Sequence, residues 1–110
     1  MPITRFHNIV GSSSVNAELL APGDNASKLK SIVIANVHAT TEATVSLFIQ
    51  DNPASGSSST FYIMKTVAIP SDTSLVLEEH DIPSFSNSIS GYGLYATVGS
   101  SDTVDVLLNI

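Results

Sequence analysis

Eighteen serines, three histidines and six aspartates are the residues of this chain that could carry hydrolytic chemistry. A Ser-His-Asp relay needs its serine in a special backbone setting, and none here sits in a Gly-x-Ser-x-Gly elbow. His7 lies in a β-prone N-terminal stretch, His38 at a strand end and His80 in an acidic connection, all positions that suit solvated or capping histidines. The densest set of metal-type ligands is Glu78, Glu79, His80 and Asp81, where extended backbone would send Glu78 and His80 to one side. Two ligands from one strand fall short of a site, and acids at a strand end ordinarily face water. The expectation is no catalytic residue, no metal and no cofactor.

The totals narrow the partners. With no cysteine there is no disulfide framework, thiolate site or thiol nucleophile. Four Lys and Arg against ten Asp and Glu give a net charge of −6 and a pI near 4.6. That balance opposes binding to nucleic acid or to an anionic membrane, so neither is expected as a partner. The opening MPITRFHNIVGSSS lacks the apolar core of about 7–15 residues of a secretory signal, and Ile32 to Ala35 is the longest apolar run, far below the roughly 20 residues of a membrane span. A soluble protein is expected. At 110 residues the chain suits one domain able to bury roughly two thirds of its unfolded surface.

Short β-prone runs separated by Gly, Pro, Asn, Asp and Ser make up the chain. Ser31 to Asp51, SIVIANVHATTEATVSLFIQD, reads as a buried hairpin; Thr60 to Leu77 reads as a second, turning at Pro70-Ser71-Asp72-Thr73; Tyr92 to Ile110 reads as a third, turning at Gly99 to Asp102. Residues 1–14 form an N-terminal arm anchored by Phe6, Ile9 and Val10, or else the first strand of the same sandwich. Asn52 to Ser59 reads as an exposed loop, and Ser84 to Ser90 as a longer connection with Phe85 and Ile89 folding back as a lid. The fold class is all-β: a single antiparallel β-sandwich, jelly-roll-like, of about eight short strands over residues 15–110.

Alternation places Val33, Ala35 and Val37 on one face of the first central run and Ile32, Ile34 and Asn36 on the other, so both faces are apolar. The same excess recurs at Phe48, Tyr62 and Met64, and Leu107 interrupts the polar face of the last strand. A sheet covered on one side needs no such second set. Ile32, Ile34, Phe48, Tyr62, Met64 and Leu107 are therefore the candidate oligomer or assembly interface, since large exposed apolar patches mark interaction surfaces. Tyr62, Tyr92 and Tyr95 are the aromatic side chains that could stack on a sugar.

The order SIVIANV, a short polar turn, ATVSLFIQD, then FYIMKTVAIPSDTSLVLEE and a closing hydrophobic strand resembles the small β-sandwich virion structural proteins of tailed bacteriophages, particularly cyanobacterial phages. The resemblance spans about Ser31 to Ile110 and carries no functional residues with it. It implies a non-enzymatic virion protein present in many copies, a homo-oligomer that also contacts major capsid, tail or neck proteins. A capsid decoration or cement protein is the expected role. A tail or neck component, or a carbohydrate-binding or adhesive module acting through its loops, are the alternatives.

Overall fold

β-branched and aromatic residues alternate with Ser, Thr and Asn over stretches of four to ten residues, and among the described residues that pattern yields strands and no helix longer than one turn. The computed structural model describes residues 4–11, 17–24, 29–51, 59–82, 85–88, 91–99 and 102–110, with residues 4–6 described in backbone only. Eight strands result: β1 (Thr4–Val10), β2 (Ala17–Leu20), β3 (Ser31–Asn36), β4 (Ala43–Asp51), β5 (Thr60–Ile69), β6 (Ser74–Glu78), β7 (Tyr92–Val98) and β8 (Thr103–Asn109), with a 3-10 turn at Glu79–Asp81. They form two four-stranded antiparallel sheets, sheet A in the order β1-β8-β3-β6 and sheet B in the order β2-β7-β4-β5. The all-β sandwich expected from the sequence is what the chain forms.

The pairing has a simple logic. β1 pairs with β8, β2 with β7, β3 with β6 and β4 with β5, which amounts to one long hairpin rolled over on itself, the jelly-roll arrangement. Among the described strands, only β4 and β5 are both consecutive and paired. The three hairpins read from the sequence are therefore corrected: β3 and β4, β5 and β6, and β7 and β8 lie in opposite sheets, and each short connection between them arches across the sandwich. Asn36 shows why the first arch is stable. Buried at the end of β3, it donates from Nδ2 to the carbonyls of Thr41 (2.9 Å), Ile69 (3.0 Å) and Pro70 (3.3 Å) and accepts from the His38 amide (3.0 Å). One amide thus satisfies backbone groups of both the β3–β4 and β5–β6 arches, groups that would otherwise be left unpaired in the interior.

Of the N-terminal residues 1–14, the structure describes 4–11. Thr4–Val10 pairs along its whole length with β8, from Thr4 opposite Asn109 to Val10 opposite Thr103, so it is an edge strand of sheet A and no free arm.

The core fills the space between the sheets with Leu19, Leu20, Leu29, Ile32, Ile34, Val45, Leu47, Ile69, Leu94, Val104, Val106 and Leu108, all fully buried. On β3 the inward residues are Ile32, Ile34 and Asn36, and Val33 and Ala35 face out, the reverse of the expected orientation. Burying the larger Ile pair removes more apolar area than burying Val33 and Ala35 would, and the inward Asn36 is compensated by its hydrogen bonds. On β5 two register shifts intervene, and Thr66 adopts the left-handed region at φ 53° with its amide donating to Ser46 Oγ (2.9 Å). The extra residues rotate the strand so that Met64 as well as Ile63 reaches the core.

Candidate functional site

The proposed surface residues divide once their strands are in place. Ile32 and Ile34 are fully buried between the sheets, and Met64 packs against the core, so these three supply no outward contact surface. Leu107, Phe48 and Tyr62 do point away from the core, but on two different faces. Of the segment expected to be an arm, Ile9 packs against the core, Val10 is exposed on the outer side of sheet A, and the Phe6 side chain lies outside the described residues.

On the outer face of sheet A the strand register builds one apolar row. Leu107 of β8 stands opposite Val33 of β3, which stands opposite Val76 of edge strand β6. Val76 is 52% exposed. On either side of this row the same register places Asp105, Ala35 and Ser74, and then Asn109, Ser31 and Glu78. Asp105 accepts from Asn8 Nδ2 at 2.7 Å, and Asn109 Nδ2 donates to Ser31 Oγ at 2.6 Å. A shallow depression of about 310 Å³ opens beside the row, lined by His7, Asn8, Asp105, Val106 and Leu107. Sequence reasoning found Leu107 and missed Val33 and Val76, because it assigned Val33 to the core and read β6 as a simple return strand.

The outer face of sheet B carries rings in place of aliphatics. Phe48 lies in register with Tyr62 on one side and Tyr95 on the other, with ring centroids 5.3 Å and 6.0 Å away. Tyr95 hydroxyl donates to Glu18 Oε2 at 3.4 Å, and burial, followed by the Glu18 carboxylate, pushes its pKa up from the ordinary phenol value. At the other end Lys65 Nζ stands 5.1 Å from the Tyr62 ring centroid. Tyr62 is 51% exposed whereas Phe48 is only 3% exposed, so this outward face is largely closed at its centre. Tyr92 contacts Phe61 at 6.0 Å.

The acid–base groups stay dispersed. His80 sits on the exposed 3-10 turn, 3.9 Å from Glu78 Oε2 and 3.5 Å from Asp81 Oδ1, in a capping box that Glu78 and Asp81 complete. His38 lies in the β3–β4 arch, and His7 lies on edge strand β1, its Nε2 buried without a hydrogen-bond partner. Among the described residues no group of three or more His, Cys, Asp or Glu is placed to hold a metal ion. The residues expected as loops or lid are partly outside the described set: 52–58, 83–84 and 89–90 are, whereas Phe85 is buried in the core and Asn87 ties the segment down through bonds to the carbonyls of Ala21 and Tyr92. No helix among the described residues is long and apolar enough to cross a membrane.

Compared with protein-family models, with curated proteins and with solved structures, the chain matches none.

Proposed function

We propose that this is a non-enzymatic virion structural protein of a tailed bacteriophage, acting as a capsid decoration or cement protein present in many copies. The observation that carries the reading is the outward apolar row of half-buried Leu107 and Val33 and half-exposed Val76 on the outer face of sheet A, an aliphatic surface suited to contact with another protein. Jelly rolls serve both as capsid components and as lectins, so the fold by itself supports assembly and sugar binding alike. The resemblance of Ser31 to Ile110 to phage virion sandwiches, together with an acidic chain that would repel packaged DNA, favours assembly.

A tail or neck location uses the same surface and is the nearest alternative. The adhesive reading has one specific observation in its favour, the half-exposed Tyr62 ring flanked by Lys65 on the outer face of sheet B. Immunogold electron microscopy with antibodies against the chain, applied to phage particles whose genome encodes it, tests the proposal. Regular labelling of heads is expected, and labelling of tails would move the protein there. Unlabelled particles from a lysate that contains the chain would overturn the virion role, and a glycan array with a saturable ligand would replace it with the adhesive one.

A further inference from the structure

The outer face of sheet A has an arrangement that favours one particular partner. Its middle row is apolar, with Leu107, Val33 and Val76 in register, and the rows on both sides are amides, hydroxyls and alanine with just two acids, Asp105 and Glu78. The acids sit at diagonal positions: Asp105 on β8 in one flanking row, Glu78 on β6 in the other. No described side chain in these rows is cationic.

We propose that this face is self-complementary and docks, face to face, onto a second copy of this chain; the inference deepens the assembly role proposed above and rests on it. A twofold axis lying between the faces and running along the seam of β8 and β3 sets Leu107 against the partner's Val33. The same operation places Asp105 opposite the partner's Ala35 and Glu78 opposite the partner's β1, whose sequence TRFHNIV has no acid. Turning the axis across the strands sets Asp105 against the partner's Asn109 and Glu78 against the partner's Ser74. In either geometry neither Asp105 nor Glu78 is set against a carboxylate of the paired rows, which matters because copies of a chain with a net charge of −6 repel one another wherever their acids align.

The size of the patch points to a weak contact. Four strands about 4.8 Å apart and about seven residues long at roughly 3.3 Å each give a face of about 19 by 23 Å. That is about half of the roughly 800 Å² per partner in a standard-size complex, so the contact is weak and reversible. Repetition on a multivalent scaffold would convert such a contact into tight association.

Sedimentation velocity of the full chain at about 5 μM and about 500 μM tests the idea. Monomer at the lower concentration and dimer at the higher are expected. Val76→Asp, at a position already half exposed and so compatible with folding, should abolish the dimer at about 500 μM while circular dichroism stays native. Tyr62→Asp, on the opposite outer face, should leave the dimer intact. A monomer at both concentrations overturns self-docking, as does a dimer that survives Val76→Asp or is lost equally in Tyr62→Asp. A chain that stays monomeric yet labels phage heads would remove this inference and leave the virion role standing.

Discussion

The two outer faces of the sandwich obey the same alternation and reach different ends. On sheet A the outward row is made of Leu107, Val33 and Val76, side chains too short to reach over one another, and Val76 at the edge stays half in water. On sheet B the outward row is made of rings, and Phe48, flanked by Tyr62 and Tyr95, is nearly as buried as the core although it faces away from it. Aromatic pairs gain from offset contact and remove large areas from water, so that face is closed at its centre, with Tyr62 on edge strand β5 half exposed. An apolar outward residue thus stays open to solvent where it is aliphatic and at an edge, and is covered within the chain where it is an aromatic ring between two others.

The largest effect that could break this comparison lies on β3. Ile34→Asp buries an unpaired charge between the sheets and should prevent folding, whereas Val33→Asp, one residue away on the outer face, should leave a folded, soluble chain. Near-native circular dichroism for both variants, or for neither, would show that the two faces of β3 are not as unequal as the structure makes them.

Phe48→Ala comes next. A buried phenylalanine cut to alanine costs about 3–5 kcal/mol, so the urea midpoint should drop sharply while the oligomeric state of the remaining folded protein is unchanged. A small stability loss combined with weakened assembly would return Phe48 to the interface role suggested by the sequence.

How much of this was legible beforehand follows from the same residues. The eight short strands and the sandwich could be read from period-two runs and turn residues, because those signals are local. The partner of each strand could not. Asn36 and the arches at 37–42 and 70–73 look like hairpin turns in sequence, and it takes the distant Ile69 and Pro70 carbonyls to hold the chain in the crossing direction. Strand orientation was lost for a related reason. With Val33 and Ala35 on one side and Ile32 and Ile34 on the other, periodicity gives no preference, and the polar Asn36 made the true core side look like the outer one. On β5, the two bulges moved Met64 inward, an effect visible only once its pairing with β4 is known. Leu107 was found because its strand is otherwise cleanly alternating, with Val104, Val106 and Leu108 all inward.

A smaller effect probes the closed face of sheet B. A Cβ built on Gly93 would lie 2.6 Å from the Leu20 carbonyl oxygen and 2.9 Å from the Tyr95 hydroxyl oxygen. The first of these is backbone and has nowhere to go, because β2 is paired to β7 at that point. Gly93→Ala should therefore cost about 1–3 kcal/mol by overpacking, readable as a lower denaturant midpoint with an unchanged slope. A neutral outcome would mean that β2 and the Tyr95 ring yield easily, and that the face is closed only loosely.

The smallest effect separates burial from charge at Tyr95. Its phenol titrates above the ordinary value of about 10 because it is buried, with the Glu18 carboxylate and the hydrogen bond to it adding in the same direction. Below that ordinary value Tyr95 is protonated in both folded and unfolded chains. Above it the unfolded chain releases the proton while the folded one retains it, so stability falls as pH rises from about 10 through the raised pKa. Tyr95→Phe removes this proton and should flatten the decline in Tm between about pH 9 and pH 11, at a cost near neutrality of about 1 kcal/mol or less, since the hydrogen bond it loses is long. Glu18→Gln should flatten the decline only in part, because burial is the larger cause. Equal flattening in the two variants would make the carboxylate the dominant influence and the outer face of sheet B more open at Tyr95 than its burial indicates, while a slope unchanged in Tyr95→Phe would exclude this phenol as the source of alkaline sensitivity.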